Sequence, residues 1–212
     1  MVNLHQDRTL LTDGKPLDEA VGAIVLIHGR GASAADILTL VPELDRPNFA
    51  YLAPQAPGNI WYPHRFLDPV ASNEPDLSSA LAAVGQVMGQ VAGAGIPPER
   101  TTLLGFSQGA CLALEWAARH ARRYGGLVGL SGALIGADGE PRQDQGSLQG
   151  TPVFLGCGDP DPHIPRQRIH NAAEILRALG GEVTMRLYPG IGHTINRDEI
   201  DHIRRFMDAI RV

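Results

Sequence analysis

The chain has no run of basic residues, and its 18 Lys and Arg against 23 Asp and Glu leave a formal charge of −5 at pH 7. A nucleic-acid partner needs a cationic footprint to meet the phosphates, so that class of partner is excluded on charge. Cysteine is scarce as well. The two present, Cys111 and Cys157, form no C-x-x-C pair and fall inside an expected helix and an expected strand. That argues against a disulfide framework or a metal knuckle and fits buried reduced thiols in the cytoplasm. No apolar run approaches the length of a membrane span. The opening residues MVNLHQDRTLL carry neither a basic n-region nor an apolar h-region. Val2 stands where myristoylation requires glycine, and the last residues carry no C-a-a-X signal, so neither secretion nor a stable membrane anchor is expected. What is left is 212 residues, 43% of them hydrophobic, enough for one globular domain with a full-sized core over residues 1–212.

Strand and helix patterns alternate along this domain. Strands are expected near Thr9–Thr12, Gly22–Ile27, Phe49–Ala53, Thr101–Leu104, Leu127–Leu130, Val153–Cys157 and Val183–Tyr188. Helical patterns cover Ser33–Leu44, Asp76–Ala94, Gln108–His120, Arg166–Leu179 and Arg197–Ile210. Alternation of this kind implies an α/β fold with a mostly parallel central sheet, and several of the strands are continuous apolar runs, as strands covered on both faces should be. One segment breaks the alternation. Pro54–Pro75 has no clear period and many prolines, and it carries Trp61, Tyr62, Phe66 and Leu67. Long loops in compact domains tend to be functional. Its aromatic residues fit either a substrate wall, with Trp61, Tyr62 and Phe66 as the binding residues, or a cover for the edge of the core.

The most informative motif is Gly105-Phe106-Ser107-Gln108-Gly109-Ala110, between the apolar run Thr101–Leu104 and a helical pattern. A serine in G-x-S-x-G between strand and helix is the nucleophile elbow of α/β-hydrolases. The turn forces the serine to positive φ, and side chains two positions to either side would collide, so Gly105 and Gly109 are required.

A second glycine cluster, His28-Gly29-Arg30-Gly31-Ala32-Ser33-Ala34, also follows a strand and satisfies G-x-G-x-x-A. A dinucleotide-binding site would want a carboxylate at the end of the next strand, but that strand ends Leu52-Ala53-Pro54-Gln55. The oxidoreductase reading therefore becomes an alternative, and no cofactor is expected. In a hydrolase the same turn supplies one backbone N–H of the oxyanion hole and the residue after the nucleophile supplies the other, here Arg30 and Gln108.

A serine hydroxyl needs a base, and the base needs an orienting acid. His120, His170 and His202 lie in helical patterns and His163 lies close to the acid candidates. His193, in the glycine turn Pro189-Gly190-Ile191-Gly192-His193 after the last strand, is best placed as the base. The acid belongs after Val153–Cys157, where Asp159 and Asp161 both qualify and the residues themselves barely separate them. A metal site at Asp159, Asp161 and His163 lacks further His or Cys ligands, so no metal is expected.

HGRGAS at 28–33, GFSQGA at 105–110, GCGDPDPHIP at 156–165 and GIGHTI at 190–195 together resemble the phospholipase/carboxylesterase family, which includes acyl-protein thioesterases. The match runs over nearly the whole chain. It implies an α/β-hydrolase, free of cofactor and cytoplasmic, that hydrolyses carboxylic esters or thioesters. The stretch from Ser131 to Pro152, short, rich in Gly, Gln and Asp and poor in apolar residues, leaves material for a minimal cap or none, so an open groove suited to short or medium acyl chains is expected. It also implies that Asp161 completes a triad with Ser107 and His193, and it supports Arg30 and Gln108 as oxyanion donors. Arg30 stands where the thioesterase branch usually has leucine, and Cys157 where its acid loop often has histidine. A carboxylesterase acting on small-molecule esters of short or medium acyl chain thus stands ahead of a lysophospholipase or acyl-protein thioesterase. A dienelactone hydrolase would carry cysteine in place of Ser107. A non-catalytic binding module would not need Ser, Asp and His together. Monomer and homodimer both remain open.

Overall fold

In the computed structural model, residues 9–210 are described; the leader reading made on residues 1–8 and the last two residues of the C-terminal lipid-signal reading lie outside them. Seven strands form one sheet: β1 (Leu10–Gly14), β2 (Gly22–Ile27), β3 (Phe49–Pro54), β4 (Thr101–Phe106), β5 (Gly126–Leu130), β6 (Pro152–Gly158) and β7 (Glu182–Tyr188). Their spatial order is β1-β3-β2-β4-β5-β6-β7. β1 runs antiparallel to β3, and every other neighbour pair is parallel. This is the mostly parallel sheet expected from the alternation.

The helices are α1 (Ala34–Leu38), α2 (Val41–Leu44), α3 (Asp76–Gly93), α4 (Gln108–Arg119), α5 (Arg166–Ala178) and α6 (Arg197–Ala209). Successive side chains of a strand point to opposite faces, and the inner strands divide their apolar residues accordingly. Ala23, Val25 and Ile27 of β2 join the core under α3, α4 and α5, whereas Ile24 and Leu26 join the core under α1 and α6. All six residues of β2 are buried, which accounts for its unbroken apolar sequence.

One expected element is divided. The pattern over Ser33–Leu44 reads as a single helix, but α1 stops at Leu38 and α2 begins at Val41. Pro42 has no N–H to offer the carbonyl of Leu38, and its ring would collide with that carbonyl, so a continuous helix is disfavoured there. Pro42 instead occupies the first turn of α2, where a missing N–H costs nothing. The segment between β5 and β6, residues 131–151, forms no helix. It is held down on α4 and α5: Glu115 accepts from the Ile135 N–H and from Arg142, and Arg168 donates to the carbonyls of Leu134 and Gly136. No helical cap rises over the carboxyl ends of the strands among the described residues. That is the edge where open parallel sheets place their sites.

Candidate active site

Four strands deliver the candidate residues to this edge. Arg30 follows β2, Ser107 follows β4, Asp161 follows β6 and His193 follows β7. Ser107 sits at φ 55°, ψ −120°, the strained left-handed backbone that an elbow requires. The neighbouring glycines are fixed by contact. A Cβ at Gly105 would run into the backbone of Gly109, and one at Gly109 would run into the carbonyl oxygens of Ile27 and His28. The strand before the serine, the helix after it and β2 therefore meet backbone to backbone, which no larger residue allows.

The histidine and acid loops are locked together in the same way. A Cβ on Gly158 would overlap the carbonyls of Ile191 and Gly192, and the Asp159 N–H donates to Tyr188 O at 2.9 Å. The result is a connected chain of polar atoms. His193 Nε2 lies 2.8 Å from Ser107 Oγ, and His193 Nδ1 lies 2.7 Å from Asp161 Oδ2. A carboxylate only accepts, so the proton belongs on Nδ1 and Nε2 is left to accept from the serine hydroxyl. The imidazole is flanked by the Phe106 ring and the edge of His163, each with its centroid 4.9 Å away.

The Asp161 side chain is wholly buried. Its Oδ1 accepts from the N–H groups of His163 (2.8 Å) and Ile164 (3.1 Å). Burial alone would push this carboxyl up, but the hydrogen bond to His193 and the backbone donors outweigh it and hold it below the usual carboxylate range. Cys157 Sγ is 3.6 Å from Asp161 Oδ2. Burial and the neighbouring Asp161 push its thiol up to about 12, so at neutral pH it stays protonated and available as a weak donor. Asp159 points elsewhere, with its half-exposed carboxylate 3.8 Å from Arg166. The two aspartates that the sequence left level are thus separated by orientation, and they do not converge with His163 on a common centre.

The N–H groups of Arg30 and Gln108 have no protein acceptor among the described residues. Gln108 is the first residue of α4, where an N–H has no intrahelical partner and the helix dipole favours negative charge. The site opens into a groove of about 770 Å³ lined by Ser107, His193, Arg30, Tyr62, Phe66 and His163, among others.

Tyr62 and Phe66 line this groove, but Trp61 does not. Trp61 is fully buried, its indole N–H donates to His28 O at 2.9 Å, and its ring packs within 5.0 Å of the His28 ring. Of the three aromatic residues expected in the wall, Trp61 therefore belongs to the core, because a large ring with one donor finds both apolar cover and a carbonyl there.

Sequence reasoning passed over His28. It is buried and accepts from the Ala56 N–H at Nε2, while Nδ1 lies 2.8 Å from Gly29 O. Burial, partly offset by the Gly29 contact, lowers its pKa and keeps it neutral, which suits an Nε2 acceptor. Its position directly before Gly29 was the available signal.

The sequence matches the phospholipase/carboxylesterase family over residues 14–211. The chain belongs to that family. A phospholipase/carboxylesterase from Dyadobacter fermentans is 43% identical, superposes with a TM-score of 0.91, and the match covers 95% of this chain and 96% of that one. Acyl-protein thioesterase 1 of Gibberella zeae is 28% identical over 207 residues, covering 87% of this chain and 88% of the relative. A probable carboxylesterase of Arabidopsis thaliana, SOBER1-like, is 28% identical over 202 residues, covering 87% and 77%. Family membership makes the chain a hydrolase of the α/β-hydrolase fold. Within the described residues no helix is long and apolar enough to cross a membrane.

Proposed function

We propose that this family member is a serine carboxylesterase in which Ser107, His193 and Asp161 act as a catalytic triad on small-molecule esters. The observation that carries this reading is the unbroken link from Ser107 Oγ through His193 to Asp161 at 2.8 and 2.7 Å, with the serine on a strained turn above a helix N-terminus. His193 takes the hydroxyl proton as Ser107 attacks the ester carbonyl, while Asp161 holds the imidazole in the required tautomer. The N–H groups of Arg30 and Gln108 receive the oxyanion. The alcohol leaves with the proton from His193, and water then repeats the sequence to release the acid. The preferred acyl chain is short or medium, because a groove without a helical cap buries the first methylenes well and later ones poorly, against about 0.8 kcal/mol for each fully buried CH₂. The buried, unpaired thiols of Cys111 and Cys157 support a reducing compartment, the cytoplasm.

The test is labelling by a fluorophosphonate together with kcat/KM across p-nitrophenyl esters from acetate to palmitate. Labelling lost in Ser107→Ala and a maximum at short or medium chains are expected. Labelling that persists in Ser107→Ala sinks the nucleophile, and a steep optimum at long chains sinks the open-groove reading. The matches to acyl-protein thioesterases favour one second reading, thioester cleavage. It would appear as a higher kcat/KM on an acyl thioester than on the matched oxygen ester.

A further inference from the structure

Arg30 lines the groove, yet its guanidinium donors turn into the wall. Nη2 donates to the carbonyls of Tyr62 (2.8 Å) and His64 (2.7 Å), and Nη1 donates to that of Pro63 (3.0 Å). Both hydrogens of Nη2 are thereby occupied, and three consecutive carbonyls of the Pro54–Pro75 loop converge on one side chain. Gln108 reaches the same place from the other side. Its Nε2 donates to Tyr62 O at 2.8 Å, and its Oε1 accepts from Trp61 N at 3.0 Å. The Tyr62 carbonyl is therefore held by the side chains of the two residues whose backbone N–H groups are the proposed oxyanion donors. Two further bonds join the loops: Gly31 N to Asn59 O at 2.8 Å and Trp61 Nε1 to His28 O at 2.9 Å.

We infer that Arg30 is a positioning residue that straps the Tyr62–His64 wall to the oxyanion loop and so sets the width of the acyl-binding groove. This rests on the esterase reading above. A planar fork with donors on separate nitrogens can span neighbouring carbonyls, whereas a lysine ammonium presents one compact point and cannot. The strap also distinguishes two roles for the charge. A cation committed to backbone carbonyls acts on every substrate alike, while one that receives an anionic substituent acts only on substrates that carry it.

The experiment measures kcat and KM for p-nitrophenyl butyrate and for the anionic p-nitrophenyl hemisuccinate with wild type, Arg30→Lys and Arg30→Met. Amide hydrogen exchange of residues 57–66 is followed in parallel. Both variants should raise KM about tenfold on both esters, the scale of one lost charge-assisted hydrogen bond, with a smaller change in kcat and faster exchange in the wall. Arg30→Met gives the side chain a length without donors, and Arg30→Lys keeps the charge, so one folded variant is enough to decide. Wild-type KM and slow exchange in Arg30→Lys would overturn the strap, as would a loss confined to the hemisuccinate or one carried by kcat at unchanged KM. The esterase reading fails by a separate result, activity surviving in Ser107→Ala.

Discussion

Strands β4 and β5 lie side by side and end alike. They pair in parallel with Gly105 opposite Gly129 and Phe106 opposite Leu130, so Ser107 and Ser131 follow at the same level. Both serines have left-handed backbone, φ 55° and 49°. Each donates its N–H to the next strand over, Ser107 to Leu130 O at 2.9 Å and Ser131 to Gly156 O at 2.7 Å. There the likeness stops. Ser107 is followed by α4 and its hydroxyl meets His193 in the groove, whereas Ser131 is fully buried and its hydroxyl has only the weakly bonding Cys157 thiol beside it. Gly132 is why the second turn is closed: it packs so tightly that a Cβ there would strike Ala110 and Ser107 O. Backbone strain is therefore common to both turns. The candidate nucleophile is distinguished by what the strained residue faces; Gly109, two residues on, lets α4 start against the carbonyls of Ile27 and His28, where the second turn has Ala133 and no helix.

The largest effect should separate these two serines. Removing the nucleophile of a serine hydrolase lowers kcat by a factor on the order of 10⁶, and Ser107→Ala should do so without changing the urea midpoint appreciably. Ser131→Ala should keep turnover within a few-fold and change stability by no more than about 1 kcal/mol, since it deletes a buried hydroxyl whose neighbour is only the weakly bonding Cys157 thiol. Steady-state kinetics and urea melts on both variants decide the matter. Comparable losses of turnover would mean that the buried turn also serves the chemistry.

The next effect sharpens the same distinction at the acid. Asp161→Asn keeps the shape but leaves His193 able to adopt the wrong tautomer, for which losses of about 10⁴ in kcat are the known scale. Asp159→Asn removes only a half-exposed carboxylate near Arg166 and should cost less than a few-fold. Equal losses in the two kinetic assays would return the assignment to the undecided state in which the spacing alone leaves it.

That indecision shows what the sequence holds. The inner strands were readable because burial on both faces writes unbroken apolar runs such as Gly22–Ile27, and the elbow because Gly105 and Gly109 have a steric reason to be glycine. The edge strands β1 and β7, with no buried residue, were legible only through the alternation of elements. Asp159 and Asp161 could not be told apart by spacing, since which carboxylate turns inward depends on the His163 and Ile164 N–H groups closing on one of them. The Trp61 position was equally hidden. Its burial is set by a hydrogen bond to His28 O, a contact 33 residues distant that no local pattern encodes. The break between α1 and α2 is written in Pro42, which reading Ser33–Leu44 as one helix leaves out of account.

The smallest effect belongs to the buried side, beneath Ser131. Gly156, whose carbonyl accepts the Ser131 N–H, packs so closely on Glu199 that a Cβ there would meet Glu199 Oε1. Glu199 is 1% exposed, and its Oε2 accepts the Asn196 N–H at 2.8 Å in the capping box of α6. Burial, only partly offset by that bond, pushes its carboxyl from 4.5 up to about 7. Between these values the folded protein keeps a proton that the unfolded chain has released. The unfolded state then binds fewer protons at this site, so the Glu199 contribution to stability falls as pH rises through this window and is level outside it. The shift corresponds to a loss on the order of 3 kcal/mol. Glutamine can keep the cap but cannot ionise. Glu199→Gln should therefore lose this component of the pH dependence and gain on wild type as pH rises from 4.5 to 8, while kcat/KM stays within a few-fold. Parallel stability curves for the two proteins across that range, measured by urea denaturation, would show that Glu199 ionises in the folded state as it does in the unfolded one.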